Sequence, residues 1–263
     1  MSPWPEVIRI SASFLFLAFS SWKDYEKREV SNAVWLLFAP ISLLLSLVDG
    51  FSRTDLSFLI SLASSFVVVT GLSFALFYLD FFGGADAKAL ICLSFALPVP
   101  PALLRPYLDL VLPIFCLSVI SNAVLMSSLL ALGIAVYNLS RYVKVGKGFF
   151  EGLENESYHR RFLLFITGIR VDSSKIKDTC QFIPLETFSK ESDGKITRHL
   201  HLFPRINRED GQDLAPLRGP LKEVKSGVWV TPSIPFLVFV TMGFITTLLL
   251  GDILIWLVFG LVS

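Results

Sequence analysis

Tyr78-Leu79-Asp80-Phe81-Phe82-Gly83-Gly84-Ala85-Asp86-Ala87-Lys88 is the stretch on which the reading of this chain turns. On either side of it run apolar segments of the kind that enter a membrane. Between them stand two glycines and a carboxylate. Glycine backbone costs conformational entropy to order, and an ionisable side chain at a membrane segment is a functional-site hypothesis in its own right. The plainer reading of Asp86 is an N-cap after a glycine turn, a place for which aspartate is well suited.

The composition agrees with a membrane protein. The chain has 263 residues, 53% of them hydrophobic and 24 of them Phe, with a mean hydropathy of +0.64. Few soluble domains carry so much apolar surface, so a polytopic membrane protein is expected. The formal net charge of +1 gives no reason to expect a nucleic-acid partner. Cys92, Cys116 and Cys180 are far apart and form no CxxC pair. Neither a zinc ribbon nor a disulfide framework is expected, and no metal or cofactor. The first apolar run lacks a basic region before it and a small-residue cleavage site after it. It reads as an anchor that stays.

Six spans are expected: about 7–22, 30–48, 56–79, a short proline-bent segment at 87–98, 112–136, and one from Pro232 or Pro235 to Val262. Trp4 and Trp22 flank the first as interfacial anchors. Residues 23–29 read as a tight charged loop, and Asp49-Gly50 as a turn that ends the second span. Thr231-Pro232 reads as the N-cap and first residue of the last helix. Residues 138–230 are polar, alternate in places and are broken by Pro184, Pro204 and Pro216. They read as a small mixed domain lying against the membrane. The expected fold is therefore an all-α polytopic membrane protein of six transmembrane helices, with a small α+β cytoplasmic domain before the last. Its parts are 1–137, 138–230 and 231–263.

Orientation follows from the charges at the span ends. The 23–29 loop and the 80–88 stretch fall on one side with Lys23, Lys27, Arg28 and Lys88. The gaps at 50–55 and 99–111 carry Arg53 and Arg105. The positive-inside rule makes the first side cytoplasmic. Both termini then face outward, and Asp24 and Asp86 share the cytoplasmic face.

Two carboxylates at one depth on different helices can share a proton, because two like charges a few ångström apart do not both ionise. The ionised member takes a proton from water while the protonated member donates to a scissile carbonyl. That is aspartyl-protease chemistry. Taken alone, Asp24 is better explained by ordinary loop composition.

The segment Ser21-Trp22-Lys23-Asp24-Tyr25-Glu26-Lys27-Arg28-Glu29-Val30 with Trp35, and then Gly83-Gly84-Ala85-Asp86-Ala87-Lys88, resembles the GxGD-type membrane aspartyl proteases. The resemblance is strongest to archaeal preflagellin and prepilin peptidases. Val228-Trp229-Val230-Thr231-Pro232-Ser233-Ile234-Pro235 resembles the segment that opens that family's last span. Ala85 departs from a strict GxGD. The resemblance implies removal of a basic leader, a class III signal peptide, from flagellin-like and pilin-like precursors at the cytoplasmic face. It implies Asp24 and Asp86 as the catalytic carboxylates and Gly83 as the motif glycine. Gly84, Ala85 and Lys88, beside them in the sequence, are read as motif and substrate-access positions. Bacterial relatives that also methylate carry a cysteine-bearing domain, so cleavage without N-methylation is expected here.

A basic leader would be met by acidic neighbours. Glu26, Glu29 and Asp80 are candidates, as is the group Glu151, Glu154 and Glu156; the bland reading is surface charge. His199 and His201 share a strand face without a third ligand. Asn138 and Asn155 head glycosylation sequons, expected to go unused on a cytoplasmic face. Asp252 reads as an interfacial charge, and Asn122 as a hydrogen bond to a neighbouring helix. Two readings of other classes stay open from the residues alone: an ion-coupled transporter using Asp24 and Asp86 as proton or cation sites, and a scaffold that binds precursors without cutting them.

Overall fold

The computed structural model describes residues 4–53, 56–153, 156–172, 182–190, 196–200, 227–232 and 234–262. It divides into two units, Met1–Ser128 with Pro235–Ser263, and Leu129–Ile234. The chain is mostly helical. Among the described residues three helices are long and apolar enough to cross a membrane, or four if one bent pair counts as a span.

The first unit is built from α1 (Trp4–Lys27), α2 (Asn32–Arg53), α3 (Leu56–Tyr78), α4 (Gly84–Ala96) and the start of α5 (Phe115–Val145). It is completed by α7 (Phe236–Leu249) and α8 (Ile253–Val262). The second unit holds the rest of α5 and α6 (Tyr158–Thr167). The short α4 is the centre of the first unit, packed against α1, α2, α3 and α7. Its Ala89, Leu90 and Leu93 are wholly buried. Leu36, Leu44, Val67 and Phe74 on α2 and α3 point outward, as lipid-facing residues should.

Several expected boundaries move, each for a physical reason. Residues 23–27 are not loop. They form the last turn of α1, steadied by a Lys23–Glu26 pair at 3.4 Å. The helix stops at Arg28, whose φ of 57° places it in the left-handed region while its N–H still reaches the Asp24 carbonyl. Asp49-Gly50 does not end α2. Asp49 is buried against Arg9 of α1, and a Cβ at Gly50 would come within 2.7 Å of Leu59 Cδ2, so the glycine admits α3.

The segment expected as the last span is two helices bent by 66°. Gly251, at φ +97°, closes α7, and Asp252 caps α8 by accepting the Ile255 N–H at 3.0 Å. Asp252 is fully buried within the protein. Its carboxylate also accepts from the Ser121 hydroxyl at 2.8 Å. Asn122 does bond a neighbouring helix, donating to Thr247 Oγ1 and the Gly251 carbonyl and accepting from the Ile253 N–H. Gly243 lets α7 lie directly on α5, where a Cβ would meet the Val119 carbonyl oxygen at 2.5 Å.

In the second unit, residues 160–171 are helix and then strand, split at Gly168. β1 (Ile169–Val171) and β2 (Phe182–Pro184) both pair antiparallel with β5 (Val228–Pro232), which is central. Thr231-Pro232 therefore ends a strand and does not open a helix; α7 begins after Pro235. A second antiparallel pair joins β3 (Glu186–Lys190) to β4 (Ile196–Leu200). Trp229 packs with Phe149, Leu153, Leu164, Leu185 and Leu200, while Val228 and Val230 pack with Ile169, Val171 and Phe182. Alternation along β5 thus serves two cores. His199 lies on β4, and His201, Asn155 and Glu154 lie outside the described residues. Asn138 is buried and donates to the Phe165 and Gly168 carbonyls, so its amide is already engaged.

Glu186 is wholly buried in this unit, 3.7 Å from Arg198. Burial pushes its carboxyl up from an ordinary 4.5 to about 7, against the pull of Arg198 and Arg170. A carboxyl raised on folding favours the folded unit below about pH 4.5, and that contribution is lost as pH climbs through about 7. The shift corresponds to roughly 3 kcal/mol. Thermal unfolding of the purified protein at pH 5.5 and 8 is expected to show a smaller difference in Tm for Glu186→Gln than for the wild type. An unchanged difference would leave Glu186 out of the pH response.

Candidate active site

Asp86 is set in the first turn of α4. The turn begins at Gly83, whose φ of −75° and ψ of 160° are ordinary extended backbone. The Asp86 carboxylate reaches back to accept the Gly83 N–H at 2.8 Å. This is the returning arm of a capping box, from the third helical position, so Asp86 is not the N-cap itself. It is 6% exposed. Neither glycine is forced by a left-handed conformation, and a Cβ on Gly84 would make only ordinary contact with Phe77 at 3.8 Å.

The left-handed residue of this stretch is Asp80, at φ 59°. Its N–H bonds to the Phe77 carbonyl and that of Phe81 to Leu76, the Schellman pattern that closes α3. Asp80 and Glu29 are exposed, and Glu26 is exposed beside Lys23.

Asp24 sits half-buried in the last turn of α1. Which end of the bundle this is can be read from the cross-links. Lys88, early in α4, donates to Asn32, the first residue of α2, at 2.7 Å. At the other end, Ser46 of α2 donates to the Phe95 carbonyl near the end of α4 at 2.6 Å. Arg9 near the start of α1 reaches Asp49 near the end of α2, and Glu6 accepts the Ala102 N–H beyond α4. So α1 runs against α2 and α4. The end of α1 and the starts of α2 and α4 lie together, and with them the 28–31 and 79–83 connections. Asp24, Glu26, Glu29, Asp80, Asp86 and Lys88 all belong to this one end.

Residues not singled out from sequence brace it. The Ser21 hydroxyl, one turn before Asp24, lies 2.6 Å from Thr241 Oγ1 and donates to the Leu237 carbonyl at 2.9 Å. Phe82 stacks on Phe236 with ring centroids 4.7 Å apart. The start of α7 is thereby fixed to α1 and to the connection that leads into α4. The i, i+3 spacing of Ser21 and Asp24 was the available signal, since it puts a small polar residue beneath the carboxylate. Among the described residues no group of three or more His, Cys, Asp or Glu is placed to hold a metal.

Fold and site together define a mostly helical protein with three or four candidate membrane spans, with Asp24 and Asp86 among the carboxylates at one end of its bundle and a small sheet-containing unit before its final helices. Comparisons with known proteins carry this further. A model of the type IV leader peptidase family matches residues 11–136, and one of the archaeal peptidase A24 C-terminus, type II, matches residues 160–253. The chain is 28% identical over 251 residues to the preflagellin peptidase of Methanococcus voltae, covering 94% of this chain and 96% of that protein. It is 24% identical over 244 residues to the preflagellin peptidase of Methanococcus maripaludis, covering 90% and 93%. A preflagellin peptidase of Methanocaldococcus jannaschii is 26% identical over 255 residues, covering 93% and 96%. The two models between them take in most of the chain, and the chain belongs to the type IV leader peptidase family.

Proposed function

We propose that the chain is a membrane-embedded aspartic endopeptidase. It removes the basic leader from preflagellin-like or pilin-like precursors at the cytoplasmic face, without methylating the product. The observation that carries this reading is the placement of Asp24 and Asp86 at one end of the bundle, on two helices packed against each other. Relatives that match along almost the whole chain bear the name preflagellin peptidase, which supports the substrate class. In this reading α1 and α4 cross the bilayer with the apolar helices, giving six spans with both termini outside.

The chemistry divides between the two carboxylates. Asp86 lies at a helix N-terminus, where backbone N–H groups favour an anion, and serves as the base that activates water. Asp24 lies in the last turn of its helix, where a proton-bearing group is the better neighbour to the carbonyl ends. It donates to the scissile carbonyl. Gly83, Gly84 and Ala85 keep the approach to Asp86 free of bulk. Co-expression with a precursor carrying a basic leader before an apolar helix tests the reading. Shortening of the precursor to its mature length is expected. A full-length precursor across several such substrates would instead favour a carrier or a non-cutting scaffold.

Asp80 is a proposed contact for the basic leader as well as the cap of α3. Asp80→Asn removes the charge and keeps a residue that tolerates the left-handed region. Its KM for a basic-leader precursor is expected to rise a few-fold while kcat holds. Unchanged kinetics would leave Asp80 as a cap alone.

A further inference from the structure

The first turns of α6 in the second unit present exposed aromatics that neither the unit's own core nor the proposed chemistry uses. On α6, Leu164 is wholly buried in the Trp229 cluster, and Phe165 packs partly against it. Nearer the start of the helix, Tyr158 and Phe162 stand one turn apart, 86% and 64% exposed. His159, Arg160 and Arg161 lie among them. Arg160 pairs with Glu156 at 2.7 Å, and the Arg161 guanidinium lies 5.9 Å from the Tyr158 ring centroid. Exposed aromatics beside basic residues are the pattern of a helix lying in a bilayer interface.

The height of this helix along α5 supports that occupant. Some 20 helical residues cross the hydrocarbon of a bilayer. Counted from Phe115, that length ends near residue 135, while α5 runs on to Val145. The continuation carries Tyr137 and Tyr142, both exposed, together with Arg141 and Lys144, an aromatic and basic belt. The end of α6 is fastened at this level. Asn138 donates to the Phe165 and Gly168 carbonyls at 2.7 and 2.6 Å, and Arg141 donates to the Arg170 carbonyl at 2.9 Å.

We propose that α6 docks on the bilayer surface, with Tyr158 and Phe162 entering the headgroup layer and its basic residues favouring anionic lipid. The inference rests on α5 crossing the membrane and is independent of the catalytic assignment.

The test uses the full chain in lipid nanodiscs. Nitroxide labels are placed by Tyr158→Cys and Phe162→Cys, with Glu151→Cys as an exposed control, all in a Cys180→Ser background. Cys92 and Cys116 are buried. Collision rates with oxygen, which partitions into lipid, are compared with those of a water-soluble nickel chelate. The oxygen-to-nickel ratio at 158 and 162 is expected to be several-fold that at 151. It is also expected to rise when phosphatidylglycerol is added to phosphatidylcholine and to fall at high salt. A ratio at 158 and 162 equal to that at 151 would overturn the proposal. So would an immobilised label shielded from both reagents, which marks a protein partner, or dipolar broadening between labels, which marks a second copy. These lipid readings stand or fall whether or not a precursor is cut.

Discussion

Asp24→Asn and Asp86→Asn, made one at a time, are each expected to reduce precursor cleavage by about 10³-fold or more, since each removes one proton-transferring group from a pair that acts together. Asparagine keeps the shape and the hydrogen-bonding reach of aspartate, so the Gly83 N–H that Asp86 accepts at 2.8 Å still finds an acceptor. The loss should therefore fall on turnover and leave the fold intact, as unfolding midpoints of the purified variants would show. The double variant is expected to be no worse than the worse single, the mark of two groups serving one step. In the wild type a bell-shaped dependence of kcat/KM on pH is expected, because the pair must hold one proton between them. Substantial cleavage surviving either single substitution would remove the dyad from the mechanism. The peptidase family assignment would stand, and the search would turn to other side chains at this end of the bundle.

Much of this site was legible because its parts are close in sequence to strong signals. The glycine pair and Asp86 interrupt apolar runs, and alternate connections fall on the same face, so the two aspartates could be assigned to one end before any coordinates. What was not legible depends on partners far along the chain. Residues 23–27 look like loop because they are charged, yet a helix tolerates charge where it leaves the apolar layer. Asp49-Gly50 looks like a turn because the partner that buries Asp49 is Arg9, forty residues earlier. Thr231-Pro232 looks like a helix start, but Ile183 and Phe182 draw it into a sheet. The break at Gly251 and Asp252 is held by Asn122, Ser121 and the Leu110 carbonyl, none of which a reading of the last apolar run alone would bring to it. Asp80 shows the limit from the other side. Its charge suggested a ligand contact, while its backbone already has a task in closing α3.

The second large effect is expected at the opposite end of the bundle. Arg9→Leu should destabilise the first unit by about 3–5 kcal/mol, because it leaves the Asp49 carboxylate buried without the cation that faces it. The two side chains are each 4% exposed, and Arg9 Nη2 lies 2.6 Å from Asp49 Oδ2. The guanidinium also donates to Ser46 Oγ at 3.3 Å and lies 5.3 Å from the Phe58 ring centroid. Ser46 in turn donates to the Phe95 carbonyl. One cation thus joins α1, α2, α3 and the end of α4. Replacing both partners, Arg9→Leu with Asp49→Leu, removes the buried charges together and should recover most of the loss, since desolvation offsets much of what a buried pair contributes. Denaturation of the two singles and the double in detergent gives the coupling directly. Singles and double that sum without coupling would mean the pair contributes through packing alone. The same variants bear on the site, because α1 and α4 carry the proposed carboxylates at their far ends. If this network sets the sliding register of the two helices, the double variant regains stability but cuts precursor more slowly, with kcat lowered and KM kept. If it only holds the helices together, the double variant cuts at the wild-type rate.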